Sequence, residues 1–143
     1  MDVIRRNTDY AIRSMVIIAQ VQGEKPISTR AVSETGGIPY QLACKIMQQL
    51  HKAGLVKSRM GPSGGFMLGR KRASISLQDI VEAIQGSVSM NKCIGDIDFC
   101  RHRPRCAVAA KLEDLQKHIS GFLRSVTLED LATSCSFTGS KGD

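Results

Sequence analysis

Apolar residues recur every three or four positions through the first fifty residues, and this spacing predicts a series of short helices. In the first helix they are Ile12, Met15, Val16 and Ala19. Asn7 is placed to cap that helix, and Ser28 to cap a second one that Gly36 and Gly37 end. Pro39 fits the first turn of a third helix, because its missing N–H costs nothing there.

The third predicted helix has two chemically distinct faces. Its apolar face consists of Leu42, Ala43, Ile46, Met47 and Leu50. Glutamine and lysine dominate the other face, where glutamine can pair with adenine and lysine can reach guanine or a phosphate. We therefore expect this helix to contact DNA bases, an ordinary solvated face being the alternative. The candidate contacts are Tyr40, Gln41, Lys45 and Gln48.

A short β-hairpin follows the third helix. Residues 55–59 alternate in polarity, residues 61–65 form a Gly-Pro-Ser-Gly-Gly turn, and residues 66–68 return as a second strand. This order of elements predicts a winged helix-turn-helix, a mainly α fold with a small hairpin wing. Glycines in the wing let backbone amides approach a phosphate, and an arginine can enter the adjacent minor groove. The candidate wing contacts are Arg59, Ser63, Gly64 and Gly65.

Two more helices follow, separated by a segment without periodicity. Ser76 and Asp79 form a capping-box pattern at the start of the first of them. The second is long, and its apolar residues are spaced alternately by four and three: Val108, Leu112, Leu115, Ile119, Phe122 and Val126. This stripe could cover the chain's own core, but we favour a homodimer, because helix-turn-helix proteins bind paired half-sites. Thr127 and Asp130 then cap a short final helix.

These patterns divide the chain into four segments. Residues 1–85 form the DNA-binding domain, 86–106 a cysteine-containing loop, 107–132 the dimerisation helix with the short final helix, and 133–143 a flexible tail. Charge also distinguishes the first half of the chain from the second. Residues 1–75 contain 12 basic and 4 acidic side chains, whereas residues 76–143 contain 8 basic and 9 acidic ones. A positive charge confined to one half indicates a polyanion, which we expect to be double-stranded DNA rather than a membrane.

The remaining features exclude several classes of protein. No apolar run approaches the roughly 20 residues of a membrane span, and the N-terminus lacks a signal-peptide pattern. No GxSxG, HExxH or Walker motif occurs, so we do not expect an enzyme. We expect a cytoplasmic protein whose five cysteines stay reduced, which favours metal ligands or redox sensors over disulfides.

Three of the cysteines lie close together in the chain. Cys93, Cys100 and Cys106 are separated by six and five residues. Structural zinc sites pair their cysteines more closely, so this spacing disfavours a simple zinc site. The spacing is compatible both with an iron–sulfur cluster and with three reduced thiols on a loop.

The order of these features resembles the bacterial winged-helix iron–sulfur regulators that include IscR, NsrR and RirA. The resemblance extends from residues 8–11 (Thr-Asp-Tyr-Ala) to residues 127–131 (Thr-Leu-Glu-Asp-Leu). Its most specific parts are residues 52–56, the wing at residues 61–69, residues 75–77 and the three cysteines. It implies a homodimer that binds a palindromic operator. The resemblance also implies an iron–sulfur cluster that controls DNA affinity and senses nitric oxide, iron or redox state.

The resemblance also implies a set of cluster ligands. Cys93, Cys100 and Cys106 match the family's three cluster cysteines. The histidine of IscR-like members is replaced by Ala109, whereas Asp9 and Arg13 match the aspartate and arginine of NsrR-like members. This favours Asp9, from the other subunit, as fourth ligand of a [4Fe–4S] cluster. His102 is the second choice and would better suit a [2Fe–2S] cluster.

One feature departs from the family pattern, and the function has an alternative. The family often has arginine directly before the first wing glycine, but this chain has Met60 there, with Arg59 one position earlier. The expected function is a transcriptional repressor switched by a cluster. The alternative is a cluster-free repressor that depends on thiols or zinc.

Overall fold

The computed structural model describes residues 3–21, 25–89 and 106–134, and within them it contains six α-helices and one hairpin. The helices are α1 (Arg6–Ala19), α2 (Thr29–Gly36), α3 (Tyr40–Lys52), α4 (Leu77–Gln85), α5 (Ala107–Ser125) and α6 (Leu128–Ser134). The strands are β1 (Val56–Arg59) and β2 (Gly65–Leu68), and a 3₁₀ turn spans Arg72–Ser74. The predicted mainly α fold with a hairpin wing is confirmed.

Local capping accounts for several of the predicted boundaries. Ser28 accepts a hydrogen bond from the amide of Ala31, and Gly37 ends α2 in the left-handed conformation at φ 62°. Ser76 and Asp79 form the expected capping box at the start of α4. The short range of these interactions explains why sequence spacing alone predicted them.

The N-terminus of α1 differs from the prediction. The helix begins at Arg6, so Asn7 lies inside it and does not cap it. Gln85, at the end of α4, supplies an acceptor instead: its Oε1 lies 3.1 Å from the Arg5 amide and 2.6 Å from the Thr8 hydroxyl. This contact with a distant residue replaces the local cap.

The wing is an antiparallel pair whose register runs from Val56 opposite Leu68 to Arg59 opposite Gly65. A bridge between Ile27 and Phe66 adds the segment before α2 to its edge. The wing is therefore attached to the helical core along β2.

One core joins the described helices other than α5, and its fully buried members include Met15, Ile17, Ile46, Met47, Leu50, Leu55, Ile75, Ile80 and Leu128. Leu128 belongs to α6, so the final helix contributes to the same core as the helix-turn-helix. Gln20 Nε2 also donates to the Ala132 carbonyl at 3.0 Å, which fastens α6 to α1. The end of the described chain is thus packed against the first helix.

Only part of the stripe on α5 faces the rest of the chain. The buried residues of this helix are Ala109 and Leu123, and it packs against α4. Val108, Leu115 and Phe122, spaced seven apart, are 66%, 43% and 65% exposed. One apolar face of α5 therefore has no cover within the described residues.

Candidate DNA interface and sensor site

The two faces predicted for α3 are present. Ala43, Ile46, Met47 and Leu50 are fully buried, and this fixes the rotation of α3 about its axis. Gln41, Lys45 and Gln48 consequently face solvent, and Cys44 is half-buried. A helix of this kind, second in a helix-turn-helix, is the element that enters the major groove in proteins with this motif.

Tyr40 lies at the first position of α3 and is 43% exposed. The Arg30 guanidinium stacks over its ring, 4.3 Å from the ring centre. Sequence reasoning singled out Tyr40 but missed Arg30, because the two positions are ten residues apart across the glycine turn. This cation–π pair joins the exposed starts of α2 and α3.

The exposed residues of the wing include Arg59 and Ser63, as expected for candidate contacts. Gly64 and Gly65 have a structural reason to be glycine. A Cβ at Gly64 would collide with the Arg59 carbonyl oxygen, and one at Gly65 with the Ile27 carbonyl. The hairpin itself therefore requires both glycines, whatever contact their amides make with DNA.

His51 connects α3 to the wing. Its ring meets Phe66 of β2 edge to face, with 6.2 Å between the ring centres. This contact joins the predicted recognition helix to the predicted wing.

Two of the four favoured cluster ligands lie within the described residues. Cys106 is half-buried at the N-cap position of α5, and its side chain makes no capping hydrogen bond. Asp9 lies in the first turn of α1, and its side chain is 59% exposed. Cys93, Cys100 and the alternative ligand His102 lie outside the described residues, as do the rest of the cysteine loop and residues 135–143 of the predicted tail. The residues that are described contain no group of three metal-ligating side chains.

Arg13 connects Asp9 to the helix-turn-helix. Its Nη2 lies 3.0 Å from Asp9 Oδ2, and its Nη1 donates to the Gly36 carbonyl at 2.8 Å. Gly36 is the last residue of α2 and is buried. A single guanidinium therefore links a candidate ligand to the turn that precedes α3.

Comparisons with known proteins identify the family of the chain. The Rrf2 family, described as "Iron-dependent Transcriptional regulator", matches residues 4–134. The chain is 34% identical to the transcriptional regulator IscR of Photorhabdus laumondii over 125 residues, 87% of this chain and 76% of that protein. It is 36% identical to IscR of Vibrio parahaemolyticus over 124 residues, 87% of this chain and 73% of that protein.

Solved structures show the same fold. CymR of B. subtilis, the global cysteine regulator, superposes with a TM-score of 0.78 at 26% identity and covers 95% of this chain and all of its own. IscR of T. potens has a TM-score of 0.75 at 27% identity, covering 93% of this chain and 88% of its own.

The chain therefore belongs to the Rrf2 family of winged-helix transcriptional regulators. It is a DNA-binding regulator and not an enzyme, as the sequence predicted. No helix of the described ranges is both long and apolar enough to cross a membrane.

Proposed function

We propose that this protein is a homodimeric cytoplasmic repressor whose affinity for a palindromic operator is switched by an iron–sulfur cluster. The supporting observation is the bridge from Asp9 through Arg13 to the Gly36 carbonyl. A change in the partner of the Asp9 carboxylate would alter the position of Arg13, and hence the support of the turn before α3.

The cluster would be held by Cys93, Cys100 and Cys106 of one subunit and Asp9 of the other. The two described residues fit this role, because the Cys106 side chain makes no capping bond and the Asp9 carboxylate is exposed. Thiolates are the usual ligands of iron–sulfur clusters. The preference for [4Fe–4S] over [2Fe–2S] rests on the resemblance to NsrR-like members, whose aspartate and arginine Asp9 and Arg13 match. A bound cluster would supply a centre that reacts with nitric oxide and oxidants.

The reading surface would be provided by α3 and the wing. Gln41, Lys45 and Gln48 would meet base edges, with Tyr40 at the start of the helix. Arg59, Ser63, Gly64 and Gly65 would contact the backbone and minor groove beside it. The exposure of Arg59 and of the α3 side chains supports this assignment.

The dimer would form through α5. Val108, Leu115 and Phe122 repeat every seven residues on one exposed face, which is the spacing of a helix pair. Two reading heads joined in this way would match two half-sites about one helical turn, ~34 Å, apart. Repression then depends on the distance between the two DNA-binding domains, and a change at the sensor site would alter this distance.

Anaerobic purification followed by titration with an operator tests the proposal. We expect a brown protein that contains iron and sulfide, with operator affinity that differs between the cluster-loaded and apo forms. Asp9→Ala should change the cluster spectrum and reduce that difference in affinity, whereas Asp114→Ala, which removes an exposed carboxylate from α5, should not. An unchanged spectrum in Asp9→Ala would exclude the cross-subunit ligand.

The structural likeness to CymR favours a second candidate, a cluster-free regulator that depends on thiols or zinc. The same purification separates the two. A colourless protein that contains zinc, or no metal, and whose DNA affinity responds to thiol oxidation would support the second candidate and refute the first.

A further inference from the structure

Met60 occupies an unusual position at the tip of the wing. It directly follows Arg59, the last residue of β1, whose partner in the hairpin is Gly65. The residue is 92% exposed, more than any other large apolar residue in the described ranges. The fold makes almost no use of this side chain, because nearly all of it lies in solvent.

The rest of the wing tip is small and tightly closed. Gly61, Pro62 and Ser63 complete the turn, and the Gly64 amide donates to the Gly61 carbonyl at 2.9 Å. Gly61 has a φ of 114°, a conformation that side chains other than glycine rarely adopt. At the tip, therefore, only Arg59 and Met60 have side chains long enough to extend well beyond the backbone.

The hairpin presents these two side chains from a fixed base. The T-shaped contact between His51 and Phe66 and the bridge between Ile27 and Phe66 attach β2 to the helical core. The strands that carry the tip are therefore anchored, and the turn itself is closed by the hydrogen bond between Gly64 and Gly61. Such a base favours the insertion of a long apolar side chain into a ligand.

The neighbourhood of Met60 identifies the ligand as DNA. No acidic residue occurs in the sequence between Glu34 and Asp79, so the wing itself and the segments directly before and after it carry only basic and neutral side chains. A protein surface that buried Met60 would find no carboxylate in the wing for its own basic groups. DNA-bending proteins combine basic side chains with an apolar wedge, methionine among the residues they use, that enters a base step from the minor groove.

We propose that Met60 inserts between two base pairs in the operator minor groove, where it unstacks one step and kinks the DNA in each half-site. Arg59 would contact the phosphates beside the inserted side chain. This inference rests on the proposed contact between the wing and the operator, and adds an activity to it, the bending of DNA. Because methionine is unbranched and polarizable, it can fill the irregular gap of a partly opened step.

The proposal has a consequence for operator sequence. Pyrimidine–purine steps such as TA and CA unstack most easily, whereas A-tracts are stiff. We therefore expect a TA or CA step where each wing reaches the operator, although Met60 can make no base-specific hydrogen bond.

The experiment begins with a duplex selected from random-sequence DNA by the purified full-length protein. 2-Aminopurine is then placed at successive positions, since its fluorescence rises when stacking is lost, and the bend is measured by gel mobility with the site at different places in a fragment. We compare the natural chain with Met60→Ala, Met60→Leu and Met60→Arg, after confirming that the thermal unfolding of each is unchanged.

With the natural chain, we expect fluorescence to rise severalfold at one step in each half-site and the fragment to be bent. Met60→Leu should keep both effects, because it keeps an apolar wedge. Met60→Ala should lose both and bind the selected duplex several-fold more weakly. Met60→Arg should bind the selected duplex without the fluorescence rise. Replacing the TA or CA step by an A-tract should weaken binding by the natural chain but not by Met60→Arg.

Each of the following results would overturn the proposal. A tightly bound duplex with no fluorescence rise at any position would refute the wedge alone, and so would a bend that is equal in Met60→Ala and the natural chain. Failure to select any duplex would refute the wedge together with the proposed function. A loss of binding in Met60→Ala without loss of bending would show that Met60 contacts DNA but does not kink it.

Discussion

Gln41, Lys45 and Gln48 can face DNA because their apolar neighbours on α3 are fully used in the core. Burial of Ala43, Ile46, Met47 and Leu50 sets the rotation of the helix about its axis. The polar side chains on the opposite face therefore point into solvent. The exposed polar face of α3 is therefore a product of core packing as much as of its own chemistry.

Replacing Lys45 with alanine should weaken operator binding by about 1–3 kcal/mol, roughly 5- to 150-fold, because one charged contact in the groove is lost. Titration by gel shift measures this. Lys111→Ala removes the same charge from an exposed position on α5, and should leave the affinity within about twofold. Equal losses in the two variants would show that Lys45 acts only through net charge.

At the scale of whole elements, the short final helix belongs to the core of the DNA-reading unit. Leu128 is completely buried together with Ile75 and Ile80, and its amide donates to the Ile75 carbonyl at 2.8 Å. Arg72 Nε also forms an ion pair with Glu129 Oε1 at 3.8 Å, which joins the 3₁₀ turn to α6. The final helix α6, which follows the proposed dimerisation helix α5, thus packs into the core of the DNA-binding domain.

Leu128→Ala should therefore destabilise the fold by about 2–5 kcal/mol, the usual cost of truncating a fully buried leucine. Urea denaturation followed by circular dichroism gives the change in free energy of unfolding. Leu131→Ala, at a half-buried position on the same helix, should cost less. An equally small effect at both positions would contradict the packing of α6 into the core.

The cap of α6 makes its stability depend on pH. The Thr127 amide donates to Asp130 Oδ2 at 3.0 Å, and this bond, with one from the Thr127 side chain, lowers the pKa of Asp130. A lowered pKa in the folded state stabilises the fold above the unfolded pKa of about 4, and this contribution disappears as the pH falls through the lower folded value.

Asp130→Asn should accordingly lower the Tm at pH 7, and the difference from the natural chain should narrow as the pH falls below about 4. Thermal unfolding across this pH range checks the prediction. Asp114→Asn, at an exposed position on α5, should show no such narrowing. A Tm difference at Asp130 that is constant with pH would mean that the charge of the carboxylate is not involved.

At the scale of the whole molecule, the fold separates a well-packed DNA-binding unit from a helix, α5, with one face that no described residue covers. α1, α2, α3 and the wing share a core, whereas α5 buries only Ala109 and Leu123 and exposes Val108, Leu115 and Phe122. Exposed apolar residues at a seven-residue spacing are typical of an interface between helices. We therefore expect the dimer interface to form on this face of α5.

Phe122→Asp should raise the dissociation constant of the dimer by about 30-fold or more, which corresponds to about 2 kcal/mol for a central aromatic contact. Sedimentation equilibrium measures the change. Ala110→Asp introduces the same charge on another exposed face of α5, and should leave the dimer intact. A dimer unaffected by Phe122→Asp would place the interface elsewhere.

The order of elements, the wing, the two faces of α3 and the caps at Ser28, Ser76 and Thr127 could be predicted from the sequence. Each depends on residues within a few positions of one another, where spacing determines which groups can meet. The positions of the cysteines are equally plain in the sequence. Their ligand role depends on three-dimensional geometry, and two of them lie outside the described residues.

Only the tertiary structure decided which residues distant in the chain act together. Gln85 replaces the expected Asn7 cap from eighty positions away, Arg13 reaches the Gly36 carbonyl, and Arg30 stacks on Tyr40. The stripe on α5 was visible in the sequence, but only packing against α4 showed which of its members stay exposed. The physical reason is that local spacing specifies helices and their faces, whereas partners between elements depend on how those faces pack.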